Sequence, residues 1–233
     1  MKFYLLFFAL FLVYDTSHAQ TNVPDISVQG IGLSMIYQQI NDKEGVYYYP
    51  YLMKRFKIND LGLKKIDYLM LYYGFAFQPE YDPYSSLPEE DSLSKLTEAQ
   101  KGKEAVALAN KIIEKNPMSL IAHVEQAYAY KGIMQEDKAI ISIEKYKLLF
   151  TTVFSSGEGS SYQKPIVVIS TKDAETIILA NKLIVKSKSM NGQLGRFYDV
   201  YLVRNKDGKE YPIYFDITLP YTIGMEKFKR TEK

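Results

Sequence analysis

The chain has 233 residues, 47% of them hydrophobic, and a formal net charge of +2. That is apolar enough for a buried core, and near-neutral charge without a Lys/Arg stripe argues against nucleic acid as a partner. It contains no Cys and only His18 and His123, so Cys nucleophiles, disulfides and zinc sets built on Cys and His are excluded.

Residues 1–19 read as a secretory signal peptide. Lys2 precedes an apolar run from Phe3 to Tyr14, and Ser17-His18-Ala19 supplies small residues where a signal peptidase reads. The run is shorter than the roughly 20 apolar residues that cross a bilayer, and no second candidate follows, so no membrane span is expected after cleavage. The rest, residues 20–233, reads as a single composite domain.

From about 47 to 154 the hydrophobic period is helical; from 164 to 220 it is mainly strand-like. A first helix is expected over Pro50 to Ile58, with Pro in its first turn, and a second over Leu63 to Tyr73, stopped by Gly74. Phe77 to Ser92 (FQPEYDPYSSLPEEDS) contains Pro79, Pro83 and Pro88 and reads as a long loop, tied down by its aromatics. Helices follow over Thr97 to Glu114, Ser119 to Lys131 and Glu136 to Phe150, the last with Ala139, Ile140, Ile143 and Tyr146 facing inward. Ala105 and Ala139 are 34 residues apart, the tetratricopeptide period, and Ala127, Tyr130 and Pro117 suit that motif. Gln126 does not, so a generic helical hairpin stands beside the tetratricopeptide-like reading.

After Ser155 to Ser161 (SSGEGSS), a flexible connection by its composition, Pro165 to Ile169 reads as a buried strand and Asp173 to Ala180 as a short helix. Lys182 to Met190, Phe197 to Arg204 and Tyr211 to Leu219 read as an antiparallel meander turning at Asn191-Gly192 and Asp207-Gly208. Lys227 to Lys233 is expected to be a solvated tail. The class is therefore α+β: an N-terminal helical part with a tetratricopeptide-like hairpin, then a C-terminal antiparallel sheet with one short helix.

Tyr47 to Phe56 (YYYPYLMKRF), Asn59 to Tyr84 (NDLGLKKIDYLMLYYGFAFQPEYDPY), the SSGEGSS loop and Tyr214 to Ile217 (YFDI) resemble, in the same order, a family of exported Bacteroidetes proteins known as domain of unknown function 4919 (DUF4919). The resemblance implies an envelope or secreted location and an α+β fold, with no activity assigned. Where the family pattern has a hydroxyl residue this chain has Lys64, and where it often has His this chain has Met70, which implies a lost helix cap and a lost titrating group.

Few residues suggest chemistry. His123 falls inside a helix, at a position that usually packs. SSGEGSS lacks the Lys-Ser/Thr of a P-loop and the third Gly of a dinucleotide fingerprint. Asn41 to Gly45 and Asn205 to Glu210 carry too few spaced oxygens for an EF-hand-type calcium loop. No metal and no cofactor is expected. Glu80 or Asp82 with Glu158 or Asp216 would be needed for acid–base work, and Asp216 reads as solvated. In the aromatic stretch Leu71 to Tyr84, Tyr72, Tyr73, Phe75 and Phe77 read as core. Tyr81, Asp82 and Tyr84, around Pro83, read as an exposed rim able to grip a sugar or peptide. Two functions of different class follow: a non-enzymatic exported module binding an envelope protein, peptide or glycan, or a carboxylate-dependent hydrolase acting on glycan or peptide.

Overall fold

The structure, a computed structural model, describes residues 23–231. The signal peptide expected over residues 1–19 lies outside them. The described chain opens with a hairpin of β1 (Ser27–Val28) and β2 (Ile31–Gly32). It turns at Gln29 and Gly30, both at positive φ. Helix α1 (Leu33–Asn41) buries Leu33, Ile36 and Ile40, one face of a short amphipathic helix. Helix α2 (Tyr49–Lys57) carries Pro50 in its first turn and buries Leu52 and Phe56.

Helix α3 (Lys65–Phe75) is buried at every residue from Asp67 to Phe75, packed against α1, α2 and α7. A helix enclosed on all sides shows no polar stripe, which accounts for its density of Tyr and Phe. Lys64 makes no side-chain cap, and the Asp67 carboxylate accepts from the Lys64 N–H at 2.7 Å instead. Met70 is buried in the core. Gly74 does not stop α3. A Cβ there would stand 3.1 Å from Ile40 and 3.2 Å from Tyr49, so Gly lets α1 and α2 approach.

The loop expected over Phe77 to Ser92 is instead 76–86, because Pro88 sits in the first turn of α4 (Leu87–Glu98), where its missing N–H costs nothing. The single helix expected over Thr97 to Glu114 is broken at Gln100, which has φ 57. Helix α5 (Gly102–Lys115) then starts with Gly102 pressed against Ile133; a Cβ would lie 2.6 Å from its Cγ2. Helices α6 (Leu120–Gly132), capped by the Ser119 side chain, and α7 (Glu136–Phe154) complete the array. Ala105 and Ala139 are both buried, whereas Ile140 is 57% exposed rather than inward-facing.

In the C-terminal part, β3 (Ile166–Val167) leads into α8 (Thr171–Ala180). β4 (Ile184–Gln193), β5 (Arg196–Arg204) and β6 (Glu210–Asp216) follow, in sheet order β3-β6-β5-β4. The meander β4–β5–β6 is antiparallel as expected, but β3 joins β6 in parallel, pairing Ile166 with Phe215. The sheet is therefore mixed, since the α8 crossover returns the chain in the same direction.

Asp207-Gly208 does turn, with Gly208 at φ 80, and Asn205 Oδ1 accepts from the N–H groups of Asp207 and Lys209. Asn191-Gly192 does not turn. It lies within β4 opposite Tyr198 and Phe197, and the chain reverses at Leu194-Gly195, both at positive φ. Beyond β6 there is no strand to Leu219. Asp216 accepts from the Thr218 N–H and α9 (Thr218–Thr231) begins, so the segment expected as a solvated tail starts inside a helix.

One core joins α1–α3, the end of α7, β3, α8 and the sheet, and a smaller one, around Leu93, Ala105, Ala109 and Ile112, lies among α4–α6.

Candidate functional site

The aromatic stretch is a clamp on β3. Tyr73 donates its hydroxyl hydrogen bond to Val167 O at 3.0 Å and Tyr81 donates to Ile169 O. Tyr72 donates to Asp173 at 2.6 Å while accepting from the Ile169 N–H. β3 is only two residues long, so these hydroxyls satisfy backbone groups that a longer strand would pair.

Tyr81 is thus not part of an exposed rim; it is 3% exposed, edge-on to Phe75. Tyr84 is 41% exposed, and its outer face is taken by α9: a Cβ on Gly224 would stand 2.2 Å from Tyr84 Cε2. Asp82 lies 3.6 Å from Lys227 Nζ, which also donates to Tyr81 O. The Tyr81-Asp82-Tyr84 turn therefore seats the chain's own C-terminal helix. Phe77, expected in the core, is half-buried, edge-on to Tyr37.

Of the other expected titrating groups, Glu80 is exposed, and Asp216, Glu158 and His123 are engaged singly. Asp216 is fully buried rather than solvated, and accepts from Arg196 Nε at 2.7 Å. Glu158 is held by Lys164 at 2.8 Å, which keeps its carboxyl below the usual range. His123 is buried, its Nε2 donating to Pro117 O at 2.9 Å, and burial lowers its pKa to about 4, so it packs as a neutral ring.

Three carboxyls do have raised pKa values, among them the half-buried Glu125, which burial raises. Burial pushes Asp173 to about 7, and burial also raises Glu90, whose Oε1 accepts from Ser119 at 2.7 Å and from Ser86. Both are sealed at the start of α6, where Asp173 accepts from the Leu120 N–H. Neither reaches the groove described next.

That groove has a volume of about 740 Å³, within the roughly 300–1,000 Å³ of ligand sites. Ile166, Ile177, Leu183 and Ile213 give it an apolar lining, with Phe154 from the end of α7 and Tyr211 from β6. Polar groups come from Glu158 and Ser160 of SSGEGSS, from Asn181 and Lys182 after α8, and from Asn205, Lys206 and Asp207 of the β5–β6 turn.

The glycine loop is a fitted wall rather than a flexible connection. A Cβ on Gly157 would come within 1.9 Å of Pro165 O, and Gly159 bonds both to Lys164 O and from the Tyr214 N–H. β6 opens into the groove because β3 begins only at Ile166, opposite Phe215 near the end of β6. Pro212, without an N–H, occupies that unpaired stretch.

Of the expected residues, only Glu158 and the Asn205-to-Glu210 turn meet here; Tyr81, Asp82 and Tyr84 do not. The lining comes from six places: the end of α7, the SSGEGSS loop, β3, α8 with the residues after it, the β5–β6 turn and β6. The one legible signal for it is Pro212 inside an otherwise regular strand.

Fold and site define an α+β protein in which a helical array and a mixed sheet share a core, with a part-apolar groove at their seam. The chain belongs to the family described as Domain of unknown function (DUF4919), which it matches over residues 34–225, from the first turn of α1 into α9. No curated protein and no solved structure matches it. Among the described residues, no helix is long and apolar enough to cross a membrane.

Proposed function

We propose that this chain is an exported, non-enzymatic binding module whose groove takes an uncharged stretch of a peptide or glycan of the cell envelope. The observation that carries this reading is the lining of the groove. Apolar side chains alternate with amides and a hydroxyl, and the charges balance, Glu158 and Asp207 against Lys182 and Lys206. Such a lining favours a ligand with both apolar and hydrogen-bonding faces and no strong charge. Exposed Ile58, Leu61, Ile140 and Ile141 add to the case for an interaction protein. Export rests on the N-terminal pattern of Lys2, apolar run and Ser17-His18-Ala19. The tetratricopeptide-like reading of α5–α7 belongs to the same proposal, supported by the burial of Ala105 and Ala139 34 positions apart.

A hydrolase is the second reading, favoured by Glu158 and Asp207 lining one groove. Against it, a general acid needs a raised pKa, whereas Lys164 lowers that of Glu158.

The test is binding of purified chain to arrays of envelope oligosaccharides and peptides. Phe154→Ala and Lys182→Glu should each reduce retention of the same ligand at least roughly tenfold, while Leu194→Ala, on the β4–β5 turn, should not. Full retention by both groove variants would remove the groove as the site. Release of product that Glu158→Gln abolishes would establish the hydrolase instead.

A further inference from the structure

A separate cavity of about 220 Å³ opens between the α2–α3 turn and α7. Its walls are mainly apolar, formed by Leu61, Leu63, Ile140, Ile141 and Leu148, and Lys145 lines it from α7. The Lys145 ammonium lies 4.5 Å from the centre of the Phe56 ring. Both acidic side chains of the cavity are held by other cations, Asp60 by Arg55 at 2.6 Å and Glu144 by Lys147 at 2.7 Å. From α3 the cavity is faced by Tyr68, whose hydroxyl burial pushes above its ordinary value, and from α6 Lys145 is neighboured by His123, which burial keeps neutral. Lys145 is thus a half-buried amine bonded to an aromatic face rather than to a carboxylate. Burial alone lowers its pKa to about 8.

We propose that Lys145 is a reactive amine and that this cavity captures small apolar aldehydes or ketones as imines. A desolvated lysine in an apolar pocket is the setting in which an amine becomes a nucleophile at neutral pH. The unprotonated Nζ attacks the carbonyl carbon to give a carbinolamine. The C–O bond then breaks as C=N forms, and the carbonyl oxygen leaves as water with the two amine hydrogens. No oxidant or reductant is consumed. The acidic Asp60 and Glu144 at the cavity disfavour a carboxylate ligand, and the apolar walls disfavour a polar carbonyl such as a sugar aldehyde.

The experiment is reductive trapping of the full chain with hexanal and cyanoborohydride, followed by peptide mapping. Lys145 should be alkylated at least roughly tenfold faster than exposed Lys43 and Lys131, with a rate half-maximal near pH 8. Glyceraldehyde should show less than about threefold preference for Lys145. Ile141→Asp, at a position exposed enough to accept a charge, should cut the hexanal rate at Lys145 at least roughly tenfold with the thermal midpoint of the fold retained. Alkylation of Lys145 at the pace of Lys43 and Lys131 overturns the reactive amine. An unchanged rate in Ile141→Asp, or equal preference for glyceraldehyde, overturns the cavity's part in it.

Discussion

The Tyr72 hydroxyl donates to the Asp173 carboxylate at 2.6 Å, with no solvent near either group. The same carboxylate accepts from the Leu120 N–H, so α3, α6 and α8 meet at one buried charge. Burial raises the Asp173 pKa to about 7, from about 3.9 in an unfolded chain. A carboxyl shifted this way holds its proton more tightly when folded. Its contribution to stability is complete below about pH 4 and is lost as pH rises toward 7. His123 has the opposite sign: burial depresses it to about 4, and stability is lost as pH falls through its unfolded pKa of about 6.5. Between about pH 4 and 6.5 the two slopes, each about 1.4 kcal/mol per pH unit, oppose one another. Asp173→Asn removes one. The unfolding free energy of the variant minus that of wild type should therefore rise by about 1.4 kcal/mol per unit from about pH 4 to 7. Urea denaturation at several pH values measures it, and a constant difference shows that Asp173 does not titrate in that range.

Tyr81 and Phe77 exchange the roles that their sequence context suggests. Tyr81 is enclosed and bonded to Ile169 O, while Phe77 is only half-buried. Tyr81→Ala should cost about 3 to 5 kcal/mol, the loss of a buried aromatic. Tyr81→Phe should cost about 1 to 3 kcal/mol through the carbonyl left unsatisfied. Phe77→Ala should fall below Tyr81→Ala. The reverse order in chemical denaturation would restore Tyr81 as a surface residue.

Gly224 and Tyr84 form the contact by which α9 seats on the aromatic turn. Adding a methyl at Gly224 forces ring or helix to move, and Gly224→Ala should destabilise by about 1 to 3 kcal/mol. Tyr84→Ala removes the obstacle. The double variant should therefore be more stable than the sum of the two single changes, by about 0.5 kcal/mol or more. Strict additivity in that cycle would place α9 elsewhere.

The parts of the fold legible in the sequence are those with local causes. Pro50 opens α2, Ser119 caps α6, and Asp207-Gly208 turns β5 into β6, each through a group within a few residues. What is not legible depends on distant partners. Gly74 looks like a helix stop until Ile40 and Tyr49 are seen against it, and nothing near Ile166 announces that its neighbour is Phe215. The candidate rim fails for the same reason: Tyr81 is enclosed by Phe75 and bonded to Ile169 O, 88 positions away, while Asp82 and Tyr84 meet Lys227 and Gly224 of α9. The groove is assembled from Phe154, Asn181, Asp207 and Ile213, and no spacing among them carries a signal.

Two glycines of the β4–β5 hairpin separate the observed register from the one that Asn191-Gly192 suggests. Gly195 has φ 75, in the left-handed region, and a Cβ there would meet nothing within 4 Å. Any penalty for Gly195→Ala is therefore purely conformational, about 1 kcal/mol. Gly192 lies in extended backbone opposite Phe197, and a Cβ would rest in ordinary contact with that ring, 3.7 Å from its nearest atom. Gly192→Ala should thus leave stability unchanged or raise it by about 0.4 to 1 kcal/mol, because Ala has less freedom to lose on folding. Had Asn191-Gly192 been the turn, the signs would exchange, with Gly192→Ala costly and Gly195→Ala harmless. The register also decides which β4 side chains share a sheet face with a given β5 residue, since a slip of one residue moves each to the opposite face. In the observed pairing Lys188 reaches the buried Asp199 at 2.8 Å. Lys188→Met should therefore destabilise the protein more than Lys186→Met, whose side chain makes no ion pair among the described residues. Comparable denaturation midpoints for those two variants, together with a costly Gly192→Ala, would show that β4 is threaded differently.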